Sequence, residues 1–335
     1  MTYRADLIRV VQTVVVPNAA DVDQHARFPR AALNALGARG ILGMTISRTV
    51  GGGGQDLRAA GRVVEHVARV CGATASVLRS HYSAAAVLDR SGPHWLRAEI
   101  AAGRHLSTLA AFGKSGEVSA HGDVVQVRAR KSWVIAAGEA DSYVWSCGSA
   151  LWLVPAQAPG LLVPADHAGM GLRGTVATCV EADPVRVPAS NRLWSEEPAF
   201  PWFLVLGAAV SLGLMEGALA EALGHLGGGD PRTRADLARM RLRTDAVRVL
   251  YNDTLSAVTW HPERSGDRVR LLAVTATEAA VAVTDLAMKV CGDAAFRRDL
   301  GIERRFRDAR AAAAIEPTVD ALLDSVEIYE ASGRK

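Results

Sequence analysis

Lysine is nearly missing from this chain. Of 38 basic residues in 335, four are lysine (Lys114, Lys131, Lys289 and Lys335), which leaves 34 arginines. Arginine forks match carboxylate and phosphate groups. These arginines are scattered among 35 acidic residues, however, and the net charge is only +3. No basic stripe forms, so no nucleic-acid partner is expected. The accompanying wealth of alanine, glycine and valine points instead to a GC-rich coding bias. Cysteine is also sparse: Cys71, Cys147, Cys179 and Cys291 stand alone, no CxxC occurs, and no two histidines are spaced i, i+4. A zinc signature and a disulfide scaffold are thereby excluded, and no metal is expected. Isolated thiols fit a reducing cytoplasm.

Long hydrophobic runs are lacking too. The longest, Phe200 to Met215, is shorter than a bilayer span and is followed at once by Glu216. Near the N-terminus Arg4, Asp6 and Arg9 interrupt the apolar residues, so no signal-peptide core is present. The expectation is a soluble cytoplasmic protein without a membrane partner. What is plentiful is apolar content, 49% against 22% charged, which excludes disorder and allows a large core.

Three regions succeed one another. Residues 1–105 read as an N-terminal helical domain. Ala31, Leu33 and Leu36 make a short helix after Pro29, with Gly37 as its stop. Val63, Val64, Val67 and Val70 share one face of a helix that starts near Asp56, and another helix covers Ala73 to Leu88. Gly51 to Gly54 lacks the Lys and Ser/Thr of a phosphate loop and reads as a flexible connection. Residues 106–198 read as a small central β domain, because Val125 and Val127 alternate with Gln126 and Arg128, and short β-rich runs come after them between turns. Residues 199–335 read as a C-terminal helical bundle, with segments 202–226, 233–260, 268–291, 302–314 and a last one from about Thr318. Helices, then strands, then helices make an α+β chain, not the alternation of a dinucleotide fold. Gly169 to Gly174 spells GxGxxG, but β-branched residues and prolines come after it where a helix is required, so a turn between strands is expected.

Two residues stand out for chemistry. Glu316 follows the apolar run Ala311 to Ile315 and precedes Pro317, which keeps it out of helical conformation. It belongs at a break between helices, either aimed into a cavity as a general base or capping a helix at the surface. Trp133, within Lys131-Ser132-Trp133-Val134-Ile135, either stacks on a planar cofactor or packs the β domain.

The order of motifs resembles the acyl-CoA dehydrogenase family over nearly the whole chain. Leu36-Gly37 through Gly43, Gly51 to Asp56 and Val64-Glu65-His66-Val67-Ala68 look like its N-terminal helical domain. Lys131 to Ile135 with Gly138 and Ala140-Asp141 resembles its K-x-W-I-T-N-G…A-D flavin strand. Gly169 to Gly174 with Val185-Arg186-Val187-Pro188 resembles its G-x-G-x-R-x-S…V-x-V-P stretch. Arg304 to Arg310 looks like its R-x-x-R-D-A-R run, and Ile315-Glu316-Pro317-Thr318 falls where the family has Y-E-G-T.

The resemblance implies bound FAD and α,β-oxidation of an acyl thioester, with Glu316 taking the α-proton as the β-hydride passes to the flavin. In one branch the base lies on the first helix of the C-terminal bundle, a position near Phe203 here, which leaves Glu316. The resemblance also implies flavin contacts at Phe112, Gly113 and Ser115, at Trp133 and Ile135, at Gly292 and Asp293, and at Thr318 and Asp320. It implies a homodimer and, as electron acceptor, an electron-transferring flavoprotein or oxygen. Several family motifs are altered. Ile135 replaces the flavin-strand threonine, Pro317 replaces a glycine, Phe112 to Gly116 replaces T-E-P-x-x-G-S-D, Lys289 to Asp293 replaces Q-x-x-G-G, and R-x-x-F-G is absent around Gly227 to Arg234. With the short length, these changes look like the branch acting on acyl-carrier-protein thioesters in hydroxymalonyl or methoxymalonyl extender unit synthesis for polyketides. An ordinary short-chain acyl-CoA dehydrogenase, a flavin monooxygenase and a non-catalytic scaffold of the same fold are the alternatives. The monooxygenase branch usually lacks the glutamate that is Glu316 here.

Overall fold

A computed structural model describes residues 3–113, 116–165, 169–193, 199–226 and 231–325. The chain begins with Tyr3–Val10 (α1) and Val16–Gln24 (α2), joined by a π turn, and continues with Arg30–Gly37 (α3). Next come Leu57–Ala68 (α4), Gly72–Ser91 (α5) and His94–Ala101 (α6). Asp56 starts α4 by accepting the Ala59 N–H at 2.9 Å, and Val63, Val64 and Val67 are buried on its inner face. The four-glycine segment is not the flexible connection its composition implies. Gly52 N–H donates to Ser47 O and Gly54 N–H to Ile46 O, folding the segment back on residues 44–47. A Cβ at Gly52 would lie 2.2 Å from Ile46 O, so close backbone approach is the reason for glycine there.

The strands are Ser107–Ala110 (β1), Glu117–His121 (β2), Val124–Val134 (β3), Ser142–Cys147 (β4), Ala150–Pro155 (β5), Leu161–Leu162 (β6), Thr178–Pro188 (β7) and Arg192–Leu193 (β8). They form two four-stranded sheets, ordered β1-β4-β5-β8 and β2-β3-β7-β6; among the described residues only β1 and β4 pair in parallel. Val127 and Val180 from one sheet share a core with Tyr143, Trp145 and Val154 from the other. Between β6 and β7 the GxGxxG segment leads into a single 3-10 turn at Arg173–Thr175, not the α-helix a dinucleotide fingerprint requires. Gly171 permits contact with a neighbouring helix, since a Cβ there would lie 2.1 Å from Arg307 O.

Ala199–Leu226 (α7), Pro231–Trp260 (α8), Gly266–Cys291 (α9), Ile302–Ala313 (α10) and Val319–Asp324 (α11) complete the fold. By length and composition α7 and α9 could each cross a membrane, but 83% of the apolar window of α7 is buried inside the molecule. The N-terminal and C-terminal helices are not separate bodies: Val63, Tyr82, Leu206, Val210 and Met215 belong to one core. Helix α10 is clamped by polar contacts. Arg307 forks Asp23 at 2.9 and 2.6 Å and donates to Met170 O at 2.8 Å. Asp308, which burial pushes up to about 6, accepts the Leu172 N–H at 2.6 Å.

His81 lies wholly buried on α5. The neutral ring with its proton on Nε2 suits its neighbours: Nε2–H donates to Leu42 O at 3.2 Å, and Nδ1 accepts from Ser107 N–H at 3.3 Å. Burial lowers it from 6.5 to about 4. Below pH 6.5 the unfolded chain therefore binds a proton that the folded chain refuses, and stability is lost as pH falls toward 4. This group should remove about 2 kcal/mol between pH 6.5 and 5. Asp308 acts in the opposite sense, so the measurement is a difference: urea unfolding of His81→Asn should show a flatter loss over that range than the wild type. Parallel profiles would contradict the assignment.

Candidate active site

The clamp on α10 fixes the position of the chain just beyond it. Helix α10 ends at Ala313, and Ile315, Glu316 and Pro317 form an irregular link before Thr318 starts α11. Glu316 thus leaves the helix at the expected break. Its side chain lines a narrow cleft with Phe112, Trp133, Ile135, Phe203 and Ile315, holding about 10 Å³ of space. Phe112 and Phe203 meet at 4.6 Å between ring centres. Gly113 has φ +100, and a Cβ there would lie 3.4 Å from Glu316 Oε2, so glycine keeps the approach to the carboxylate open.

Trp133 forms the opposite wall. Strand β3 pairs Lys131 with Val180 and Val134 with Thr178, so Ser132 and Trp133 bulge against the one residue between. Trp133 has φ +51, a conformation bulky residues seldom adopt, and is 51% exposed. Core packing is therefore not its role. Its indole also borders a second cavity of about 190 Å³, lined by Met170, Leu172, Thr175, Arg310 and Ile315. An exposed indole held in strained backbone beside a cavity fits a planar ring system laid against it. Ile135 is only 2% exposed, and its carbonyl accepts from Thr108 Oγ1 at 2.6 Å. Its side chain is apolar and offers no hydrogen bond to such a ring.

Other expected positions fall elsewhere. Gly292 ends α9 at φ +53 and Asp293 sits in the turn beyond it. The Thr318 hydroxyl caps α11 by accepting Ala321 N–H at 3.3 Å, and Asp320 is an exposed first-turn residue of that helix. None of these four lines the Glu316 cleft. Ser115 lies outside the described residues.

The structure adds two cations that the sequence did not single out as site residues. Lys131 is 1% exposed, and its ammonium donates to Ser146 Oγ at 2.8 Å. Burial lowers its proton affinity, while the nearby Cys147 and Glu316 act to raise it. Arg79 on α5 stacks on Phe203, its guanidinium carbon 3.7 Å from the ring centre. No local signal in the sequence marks it among the 34 arginines.

Residues 2–103 match the family model described as acyl-CoA dehydrogenase, N-terminal domain, and residues 205–326 match the corresponding C-terminal domain. The chain belongs to the acyl-CoA dehydrogenase family. These enzymes are FAD-dependent acyl-thioester dehydrogenases, and the oxidoreductase class and the cofactor follow from membership. Among curated relatives, a probable acyl-CoA dehydrogenase of Bacillus subtilis, YngJ, is 25% identical over 340 residues, covering 88% of each chain. Butyryl-CoA dehydrogenase from Megasphaera elsdenii superposes with TM-score 0.86 at 18% identity, covering 97% of both chains. FkbI, a protein for biosynthesis of the methoxymalonyl extender unit of the Fk520 polyketide, superposes with TM-score 0.82 at 22% identity, covering 95% of this chain and 97% of that one. Such structural likeness establishes the acyl-CoA dehydrogenase fold. Within it, the exposed indole of Trp133 beside the cavity of about 190 Å³ offers a face that fits a flavin ring.

Proposed function

We propose that this protein oxidises the α,β bond of a short acyl thioester carried on an acyl carrier protein, in the making of a hydroxymalonyl or methoxymalonyl extender unit. The observation that carries the reading is Glu316, released from α10 into an apolar cleft between Phe112, Phe203 and Trp133. Bound FAD supplies the hydride acceptor. Glu316 accepts the α-proton through a carboxylate oxygen, the role of a general base. Phe112, Phe203 and Ile315 wall the carbon chain and exclude water, while Trp133 fixes the plane against which the chain lies. Likeness to FkbI supports the carrier protein and the extender unit. The two electrons removed from the acyl group would then be drawn off by an electron-transferring flavoprotein or oxygen.

A homodimer working in the cytoplasm is part of the same proposal. Leu242 and Val249 on α8 are 68% and 70% exposed, and Leu271 on α9 is 54% exposed, an apolar surface that a second copy would cover. Sedimentation at micromolar concentration should give twice the chain mass, and a monomer would reject the dimer.

Turnover of one acyl group presented on coenzyme A and on a carrier protein tests the carrier. Preference for the protein-bound thioester supports the extender role. Equal or better turnover on coenzyme A would make this an ordinary short-chain acyl-CoA dehydrogenase, and oxygen uptake with reduced flavin but no thioester would make it a monooxygenase.

Chain length gives a second test, because likeness to the extender-unit protein FkbI favours a short acyl group. Octanoyl thioesters should be oxidised at least about 10²-fold less efficiently than butyryl thioesters, an effect of the size expected when several methylenes find no pocket. Comparable kcat/KM for the two would refute a short cavity.

A further inference from the structure

Strand β3 breaks its own pattern at Lys131. Its inward residues run Val125, Val127, Ala129 and then Lys131, with Arg128 and Arg130 turned to the other face. The alternation calls for an apolar side chain at 131. Methionine would fill the same length without a charge, yet the position holds an ammonium on a residue only 1% exposed. An interior charge costs stability unless it is paired and hydrogen-bonded. Packing alone therefore does not explain this lysine.

Its contacts lead to the base. Strands β1 and β4 pair as far as Ala110 and Trp145. One residue further a side-chain link takes over: Lys131 Nζ donates to Ser146 Oγ at 2.8 Å, and that hydroxyl donates to the Ala111 carbonyl at 2.7 Å. Ala111 and Phe112 wall the Glu316 cleft together with Ser132, the neighbour of Lys131 on β3. A Cβ at the following residue, Gly113, would lie 3.4 Å from Glu316 Oε2 and 4.0 Å from the Ser132 nitrogen. The tether thus ends on the segment that fronts the carboxylate, while Lys131 itself stands behind the wall. Charge agrees with this geometry. Burial lowers the proton affinity of Lys131, and Cys147 and Glu316 act to raise it. Burial pushes the Cys147 thiol up, so it is neutral at pH 7 and the carboxylate is the anion of the two. Apolar surroundings favour the protonated form of a carboxyl group, which takes up no α-proton, and a nearby cation favours the ionised form.

We infer that Lys131 is a positioning residue for Glu316: through Ser146 it fixes residues 111–113 against the carboxylate, and its charge keeps that carboxylate ionised in an apolar cleft. The inference rests on the reading of Glu316 as the base of an acyl-thioester oxidation. Lys131 acts through Glu316 and touches no acyl group.

The test is Lys131→Met, which keeps the length and removes the charge, with Lys131→Arg as the conservative variant. Limiting rates of flavin reduction by butyryl-CoA are measured across pH on the FAD-loaded enzyme. Loss of the cation should move the acid limb of that profile up by at least about 1 pH unit. Lys131→Met should then lose at least about tenfold on the acid side and regain most of it on the alkaline side. Lys131→Arg should return the limb toward its wild-type place. Arg79 on α5 and Arg310 on α10 lie beyond Ile315, in cavities that residue also lines, and are present in every variant, so they do not contribute to the difference. A lysine that serves packing alone predicts the same factor lost at every pH with the limb unmoved, and that result overturns the inference. A limb that stays displaced in Lys131→Arg overturns it too. If Lys131→Met does not fold, Lys131→Gln takes its place. If neither butyryl-CoA nor the carrier-bound butyryl thioester reduces the wild-type flavin, the dehydrogenation reading fails, and Lys131 is judged without turnover. With carboxyl-¹³C glutamate, the NMR resonance missing from Glu316→Gln should titrate at least about 1 pH unit higher in Lys131→Met than in the wild type. Equal titration rejects the inference.

Discussion

Glu316→Gln should give folded, yellow protein whose flavin is no longer reduced by substrate. Glutamine keeps the volume of the side chain within the Phe112, Phe203 and Ile315 cleft but cannot take the α-proton. Removing a positioned general base costs about 10²–10⁴-fold in rate. Substrate binding should persist, because the apolar walls that hold the chain are untouched. A competing role exists for a carboxylate at a helix boundary: capping, whose loss costs roughly 1 kcal/mol of stability and leaves chemistry nearly normal. The structure already gives the cap of α11 to Thr318. Anaerobic mixing with substrate, monitored at the flavin absorbance band, separates the two. Bleaching of the glutamine variant at a near wild-type rate would sink the assignment.

Trp133→Ala should weaken FAD binding about 10²-fold while the fold survives. A tryptophan presents at most about 250 Å², and half of it is open here. Covering that half with a flavin ring is worth about 3 kcal/mol, which corresponds to about 10²-fold in Kd. Stability should change little, since the exposed indole contributes little to the core and alanine relieves crowding at φ +51. Titration of the apoprotein with FAD, with fluorescence as readout, measures the effect. Unchanged affinity would remove Trp133 from the flavin site.

Much of this molecule was legible in the residues. The valine stripe of α4 and the cap at Asp56, the alternation along β3, and the helix break at Glu316-Pro317 are local patterns of burial and backbone restriction. Local patterns of this kind survive any tertiary arrangement. The motif order that resembles the acyl-CoA dehydrogenases lies in the same category, because it needs only residue type and sequence position.

Other features depended on which segments meet. Glycine-rich composition at 51–54 signals freedom, but contact with residues 44–47 turns those glycines into points of close packing. Two helical regions separated by strands read as two domains, and they share one core because the inner faces of α4 and α5 pack against α7. Trp133 looks like any strand tryptophan until the bulge between β3 and β7 turns it outward. Arg79 is one of 34 arginines, and nothing local distinguishes it. The sequence by itself determined the succession of helical, β and helical regions, the approximate ends of the C-terminal helices, and a carboxylate set at a helix break. Only the tertiary structure decided that Phe112, Trp133, Phe203 and Glu316 face one cleft and that Lys131 stands buried behind it, because proximity and burial are properties of the packed chain as a whole.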